Sequence, residues 1–252
     1  MVEDSALDFD LTRSPILVRM AIRTDYQHAD LRPLMTRMTG DEKHDSAATS
    51  TLDVLWVLYD QVLSVDPDRV DDPQRDRFLL SKGHGPMAYY AVLAAKGFLD
   101  PAELDRFGEF DSRLGFHPDR MLAPGVEIGS GSLGHGLPLA LGVTLGLRAR
   151  GLDRPRVVVL VGDAELDEGS NHEAIQVAGR WGLGRLTTVV IDNRSSSTGW
   201  PGGIADRFAR EGWATRAVDG RDHTALHQAL SATSTDRPLA VVAEVEPRGG
   251  NR

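Results

Sequence analysis

From Arg156 to Val245 the chain alternates between apolar runs and amphipathic runs. "RVVVLVG", "LTTVVID", "WATRAVDG" and "LAVVAEV" are separated by "SNHEAIQVAGRWGL", "IADRFAREG" and "DHTALHQAL". Near-continuous apolar strands of this length are buried on both faces, as parallel strands are. Helices placed between them act as right-handed crossovers. The pattern predicts an α/β fold: a doubly wound, mostly parallel sheet with helices on both faces. In such sheets ligands lie beyond the carboxyl ends of the strands.

Upstream, "TLDVLWVLYDQVL" reads as a buried helix and "DPDRVDDPQRD" as an acidic, proline-marked loop. "RFLLS" reads as a short strand, and "MAYYAVLAAKGF" as a helix closed by Gly97. "DPAELDRF" has the marks of a helix start, with Asp100 as N-cap, Pro101 in the first turn and Glu103 beyond it. "GVEIGSGSLGHG" is a glycine-rich loop leading into the helical "LPLALGVTLGLRARG". Residues 1–45 read as a helical or irregular extension with a break at Pro33. The remainder forms one domain with it, spanning 1–252.

Composition narrows the function. A formal charge of -9 offers no electrostatic reason to hold nucleic acid or an anionic membrane surface. The absence of cysteine excludes disulfides, thiolate zinc sites and cysteine nucleophiles. Residues 1–30 are too charged for a signal peptide and the apolar runs are too short for a membrane span, so a cytoplasmic protein is expected.

Two strand ends carry candidate ligands. Gly162-Asp163 closes one apolar run and Asp192-Asn193 the next, 30 positions later. On neighbouring parallel strands, Asp163 and Asn193 would offer hard oxygen donors suited to Mg²⁺ or Ca²⁺ shared with a diphosphate. Asp and Asn also end strands for local turn hydrogen bonds, so the pair alone does not decide. Gly162 permits close backbone approach, the helix opening at "SNHEAIQ" presents its positive end, and Gly129 to Gly136 supplies unhindered N–H groups. His44, His84, His117 and His135 fall in loops, and no His-Glu-x-x-His spacing marks a zinc site. Within "ELDEG", Glu165 and Asp167 read as a solvated acidic turn.

Taken together, "DRFLLSKGH", "GFHP", "GVEIGSGSLGHGLPLALG", "GDAELDEGSNHEA" with "VVIDN", and "GWATRAVDGRDHTAL" resemble the motifs of transketolases, in the same order, over roughly residues 45–245. The style is that of the short amino-terminal subunits of split transketolases. The resemblance implies thiamine diphosphate and Mg²⁺ (or Ca²⁺) as cofactors, bound by a diphosphate-binding domain of the thiamine diphosphate-binding fold. It implies Asp163, Asn193 and the main-chain carbonyl of Ser195 as metal ligands. Gly162 and Ala164 would face the diphosphate, Gly131 and Leu133 the aminopyrimidine, and His84 the cofactor as well. His44, His84, His117 and Glu168 match the catalytic positions, Glu168 in a proton network between active sites. The expected reaction transfers a two-carbon ketol or acyl unit from a ketone donor to an aldehyde-like acceptor. The pyrimidine-binding domain is expected on a separate C-terminal subunit, in an α2β2 assembly. The competing readings are a 2-oxo acid decarboxylase or dehydrogenase component, a non-catalytic scaffold protein, and an unrelated phosphate-binding protein. The sequence departs from the family at "HDSA" around His44 and at Ala164, where a third glycine is usual.

Overall fold

A computed structural model describes residues 26–38 and 49–247. Helix α1 (Leu31–Thr36) and helix α2 (Leu52–Val57) precede strand β1 (Arg77–Leu80) and helix α3 (Met87–Ala95). Helix α4 (Gly136–Ala149) leads to β2 (Val157–Gly162), α5 (Gly169–Arg180) and β3 (Leu186–Asp192). Helix α6 (Gly203–Arg210), β4 (Ala214–Asp219), α7 (His223–Leu230) and β5 (Leu239–Glu244) complete the order. The alternation read from the sequence is therefore present element by element.

The five strands pair in the order β1-β2-β3-β5-β4, and every described pairing is parallel. Alternate residues go to opposite faces, because side chains on a strand have a period of two. Phe78, Leu80, Val158, Leu160, Val189, Ile191 and Val241 share one core with α1, α2, α3 and α7. Leu79, Val157, Val159, Val161 and Val190 share the other with α4, α5 and Phe208 of α6. Both faces are covered, which is why β2 reads as an unbroken apolar run. The outer strand β4 is only half buried and exposes Arg216 and Asp219.

Three local readings differ. Pro33 does not break a helix. It is the third residue of α1, in the first turn, where its missing N–H leaves no intrahelical bond unmade. "DPAELDRF" forms a 3-10 turn over Pro101–Arg106, with Asp100 Oδ1 accepting from the Ala102 N–H at 2.8 Å. The helix begun by α2 widens into a π-turn at Leu58–Val62 before the acidic loop. Among the described residues, no helix is long and apolar enough to cross a membrane.

Helix α5 lies against the turn before β4 so closely that a Cβ on Gly179 would collide with the Glu211 carbonyl oxygen. Trp213 Nε1 donates to the Ile175 carbonyl at 2.8 Å across the same contact. Gly179→Ala is expected to destabilise the fold by about 2 kcal/mol, the overpacking cost exceeding the gain in helix propensity. Urea denaturation of the two proteins measures it; an unchanged or higher midpoint would show that the two segments can separate freely.

Candidate functional site

The register sets the site. Gly162 pairs with Ile191, so β2 and β3 end side by side and deliver Asp163 and Asn193 to one place. Both side chains are buried, 3% and 4% exposed. Asp163 Oδ2 accepts from the Ser195 N–H at 2.6 Å and the Ser196 N–H at 3.1 Å, and Oδ1 accepts from Ser195 Oγ at 2.6 Å. The chain reaches this arrangement through Arg194, whose φ of 54° is left-handed, a conformation costly for a residue with a Cβ. Asn193 Oδ1 is buried and has no hydrogen-bond partner among the described residues. A buried acceptor without a partner costs about 1–3 kcal/mol unless something else satisfies it. The donor set fits a hard divalent cation: a carboxylate and an unsatisfied amide oxygen at adjacent strand ends.

Glu165 overturns its reading as a solvated residue. It is 3% exposed, folded inward by the 3-10 turn Ala164–Asp167. Its Oε1 accepts from Ser81 Oγ and from the Gly134 N–H at 3.0 Å, and its Oε2 from the Gly162 N–H at 3.3 Å. One carboxyl thus joins the end of β1, the glycine-rich loop and the end of β2. Burial pushes its pKa up, against the pull of these donors and of Lys82. The loop is correspondingly less open than expected, since the Gly136 N–H is also engaged, by Ser81 Oγ at 3.0 Å. Asp167 is different: it is partly exposed and accepts from Thr198 and Ser196 hydroxyls, which hold its carboxyl below the usual range.

His84 and His117 come together, their rings 6.0 Å apart and near perpendicular, both exposed at the mouth of the site. The His117 ring lies against Gly83 and Gly131; a Cβ on Gly131, at φ 113°, would approach it to 2.9 Å. Leu133 is half buried in the same loop and Ala164 opens the 3-10 turn. Glu168 is exposed at the N-cap of α5, next to Gly134, whose carbonyl accepts from Ser170 Oγ at 2.7 Å. His44 lies outside the described residues.

Lys82 is a residue the sequence reading passed over. It is 9% exposed, its methylenes run alongside Gly162, and its Nζ donates to the His84 carbonyl at 3.2 Å. A lysine directly after an apolar strand, inside "SKGH", was the available signal. A buried lysine calls for a counter-charge, and the Glu165 carboxyl is within its electrostatic reach.

The family described as "Transketolase, thiamine diphosphate binding domain" matches residues 37–245. "Ferredoxin fas2" of Rhodococcoides fascians is 58% identical over 222 residues, 88% of this chain and 73% of that protein. A protein of Actinobacillus succinogenes named as one subunit of an apulose-4-phosphate transketolase is 39% identical over 157 residues, 62% of this chain and 56% of that protein. "Transketolase 2" of Xanthobacter flavus is 38% identical over 216 residues, and the chain covers only 31% of it. Among solved structures, transketolase from Leishmania mexicana superposes with a TM-score of 0.70 over 86% of this chain and 36% of that one, at 24% identity, a likeness of fold. The chain belongs to the transketolase family and corresponds to its thiamine diphosphate binding domain.

Proposed function

We propose that this chain is the metal- and diphosphate-holding subunit of a transketolase-like transferase, completed by a separate subunit that carries the pyrimidine-binding domain. The observation that carries the reading is the buried, unsatisfied Asn193 Oδ1 beside Asp163 at the end of β2 and β3. Asp163, Asn193 and the Ser195 carbonyl would hold Mg²⁺, with Ca²⁺ as the alternative hard cation. Gly162, Ala164 and the Lys82 ammonium would face the diphosphate. Gly131 and Leu133 would border the aminopyrimidine, with the His117 ring stacked on the loop. Relatives named as one subunit of a transketolase support the split, and an α2β2 assembly follows if each site forms between unlike chains.

Thiamine diphosphate, when bound, would supply carbanion chemistry for cleavage of a ketone next to its carbonyl. This chain's residues do the rest of the half-site work. His84 and His117, side by side at the mouth, orient donor hydroxyls and exchange protons with them. Glu168 and His44 extend the proton-handling set by their place in the family motifs. The donor is a ketone, the acceptor an aldehyde-like compound, and the product carries the transferred two-carbon ketol or acyl unit. The name of the Rhodococcoides relative does not carry over: ferredoxin clusters are held by cysteine thiolates, and this chain has none.

The test is affinity capture of the tagged chain from its own cells, with mass spectrometry for proteins and for thiamine diphosphate. A pyrimidine-domain protein and the cofactor are expected together, and chelation with EDTA is expected to release the cofactor while leaving the chain folded. Recovery of the chain alone and empty, even with added cofactor and Mg²⁺, would overturn the half-site reading.

A further inference from the structure

A second group of ligand-bearing side chains lies away from the strand ends. His28 precedes α1, Asp53 lies in α2, and His223 is the first residue of α7. His223 Nε2 is 2.7 Å and His28 Nε2 3.1 Å from the same oxygen, Asp53 Oδ1. The three ligand atoms lie within 4.8 Å of one another. His28 Nε2 is itself buried and, despite the short distance, makes no hydrogen bond within the described residues. The two imidazoles meet edge to face, ring centres 4.6 Å apart.

Charges of both signs border the group, with Arg32 acting on His28 and Glu246 as Arg221 does. Arg221 grips Glu246 through Nε and Nη2, at 3.0 and 2.6 Å, and sends Nη1 to Asp53 Oδ2 at 2.7 Å. One guanidinium therefore serves two carboxylates, while Asp53 Oδ1 is turned to the two imidazoles. Asp53 is 9% exposed, while the two histidine side chains are about a third exposed.

We propose that His28, Asp53 and His223 bind a zinc-like divalent transition-metal ion, at a site distinct from the Asp163–Asn193 strand end. Two imidazoles and a carboxylate suit Zn²⁺, whereas Mg²⁺ and Ca²⁺ prefer all-oxygen sets. Tetrahedral zinc at about 2.0–2.1 Å from each ligand spaces the ligand atoms by roughly 3.3 Å, so the two short distances need to open only by a fraction of an ångström. Bound metal would fasten the segment before α1, helix α2 and the start of α7 to one another. The sequence that carries His44 runs between the first two of these anchors. The chain spacing of the ligands hides the site: His28 and His223 come from opposite ends, and His227, four residues beyond His223, is not in the group.

The inference does not rest on the cofactor reading, and the experiment separates them. The full chain is titrated with Zn²⁺, and with Co²⁺ as a visible probe, in excess Mg²⁺. One equivalent is expected to bind, to raise the unfolding temperature, and to give the d–d absorption of tetrahedral Co²⁺. His28→Ala and His223→Ala should each weaken binding by more than the roughly 10–100-fold lost with a group that only supports a ligand. His28→Ala is the safer variant, since His28 Nε2 makes no hydrogen bond within the described residues, whereas His223 Nε2 is paired with Asp53 Oδ1 at 2.7 Å. Asp163→Ala should leave this zinc affinity unchanged. No zinc binding by the native chain, or binding that survives both histidine variants, would overturn the site and leave the group as a hydrogen-bonded clasp.

Discussion

Asp163→Ala is expected to abolish metal-supported binding of thiamine diphosphate, raising the dissociation constant by at least about 3 kcal/mol, or roughly 100-fold. The side chain is buried, and its charge lies at the junction of β2 and β3 beside Asn193. The variant also leaves the Ser195 and Ser196 N–H groups and the Ser195 hydroxyl without their acceptor, at a cost of about 2–3 kcal/mol of stability. Asp163→Asn separates the two effects, because it keeps an acceptor oxygen for the serines and removes the charge. Calorimetric titration with cofactor and Mg²⁺, alongside thermal unfolding, reads both. Unchanged cofactor affinity in a folded Asp163→Ala protein would remove Asp163 from the metal site.

Glu165→Ala is expected to destabilise the chain by about 3–5 kcal/mol, since it strands three donors in a buried place and opens a cavity. Those donors come from Ser81, Gly134 and Gly162, so the loss loosens β1, the glycine-rich loop and β2 at the same point. Glu165→Gln is the informative partner variant. Burial raises the native pKa of Glu165 above its unfolded value. Its contribution is then complete below the unfolded pKa and is lost as pH rises through the native pKa. The stability difference between native protein and Glu165→Gln should therefore be largest in acid and shrink toward neutral pH. Chemical denaturation at a series of pH values measures this. A gap that widens with pH would mean that the three donors favour the carboxylate more than burial opposes it.

The parts legible in the sequence were those governed by one element at a time. A parallel strand covered on both faces reads as a near-continuous apolar run, so β2, β3 and β5 declared themselves, and with them the strand ends that carry Asp163 and Asn193. What stayed hidden depends on partners far along the chain. Glu165 sits among Asp167 and Glu168 and looks solvated until the 3-10 turn swings it onto Ser81, 84 positions away. Lys82 looks like a loop cation until its stem is seen against Gly162. "DPAELDRF" carries a full set of helix-start residues, and Asp100 and Pro101 sit where expected, yet the turn continues as 3-10, because a cap fixes where a turn begins and not how tightly it continues. His28, Asp53 and His223 share no spacing that a linear reading can weigh.

The two margins of the sheet bear on how the chain behaves when made apart from any partner. An open sheet offers its outermost backbone groups to any other strand, and long, flat, apolar margins seed aggregation. Here one margin is β1, only four residues long, and the other is β4, which shows Arg216 and Asp219 to solvent. Each is a poor template for further strand addition. Such margins favour persistence of the lone chain in solution. Under the proposed split, mixing separately purified chains is thus a practical route to reconstitution.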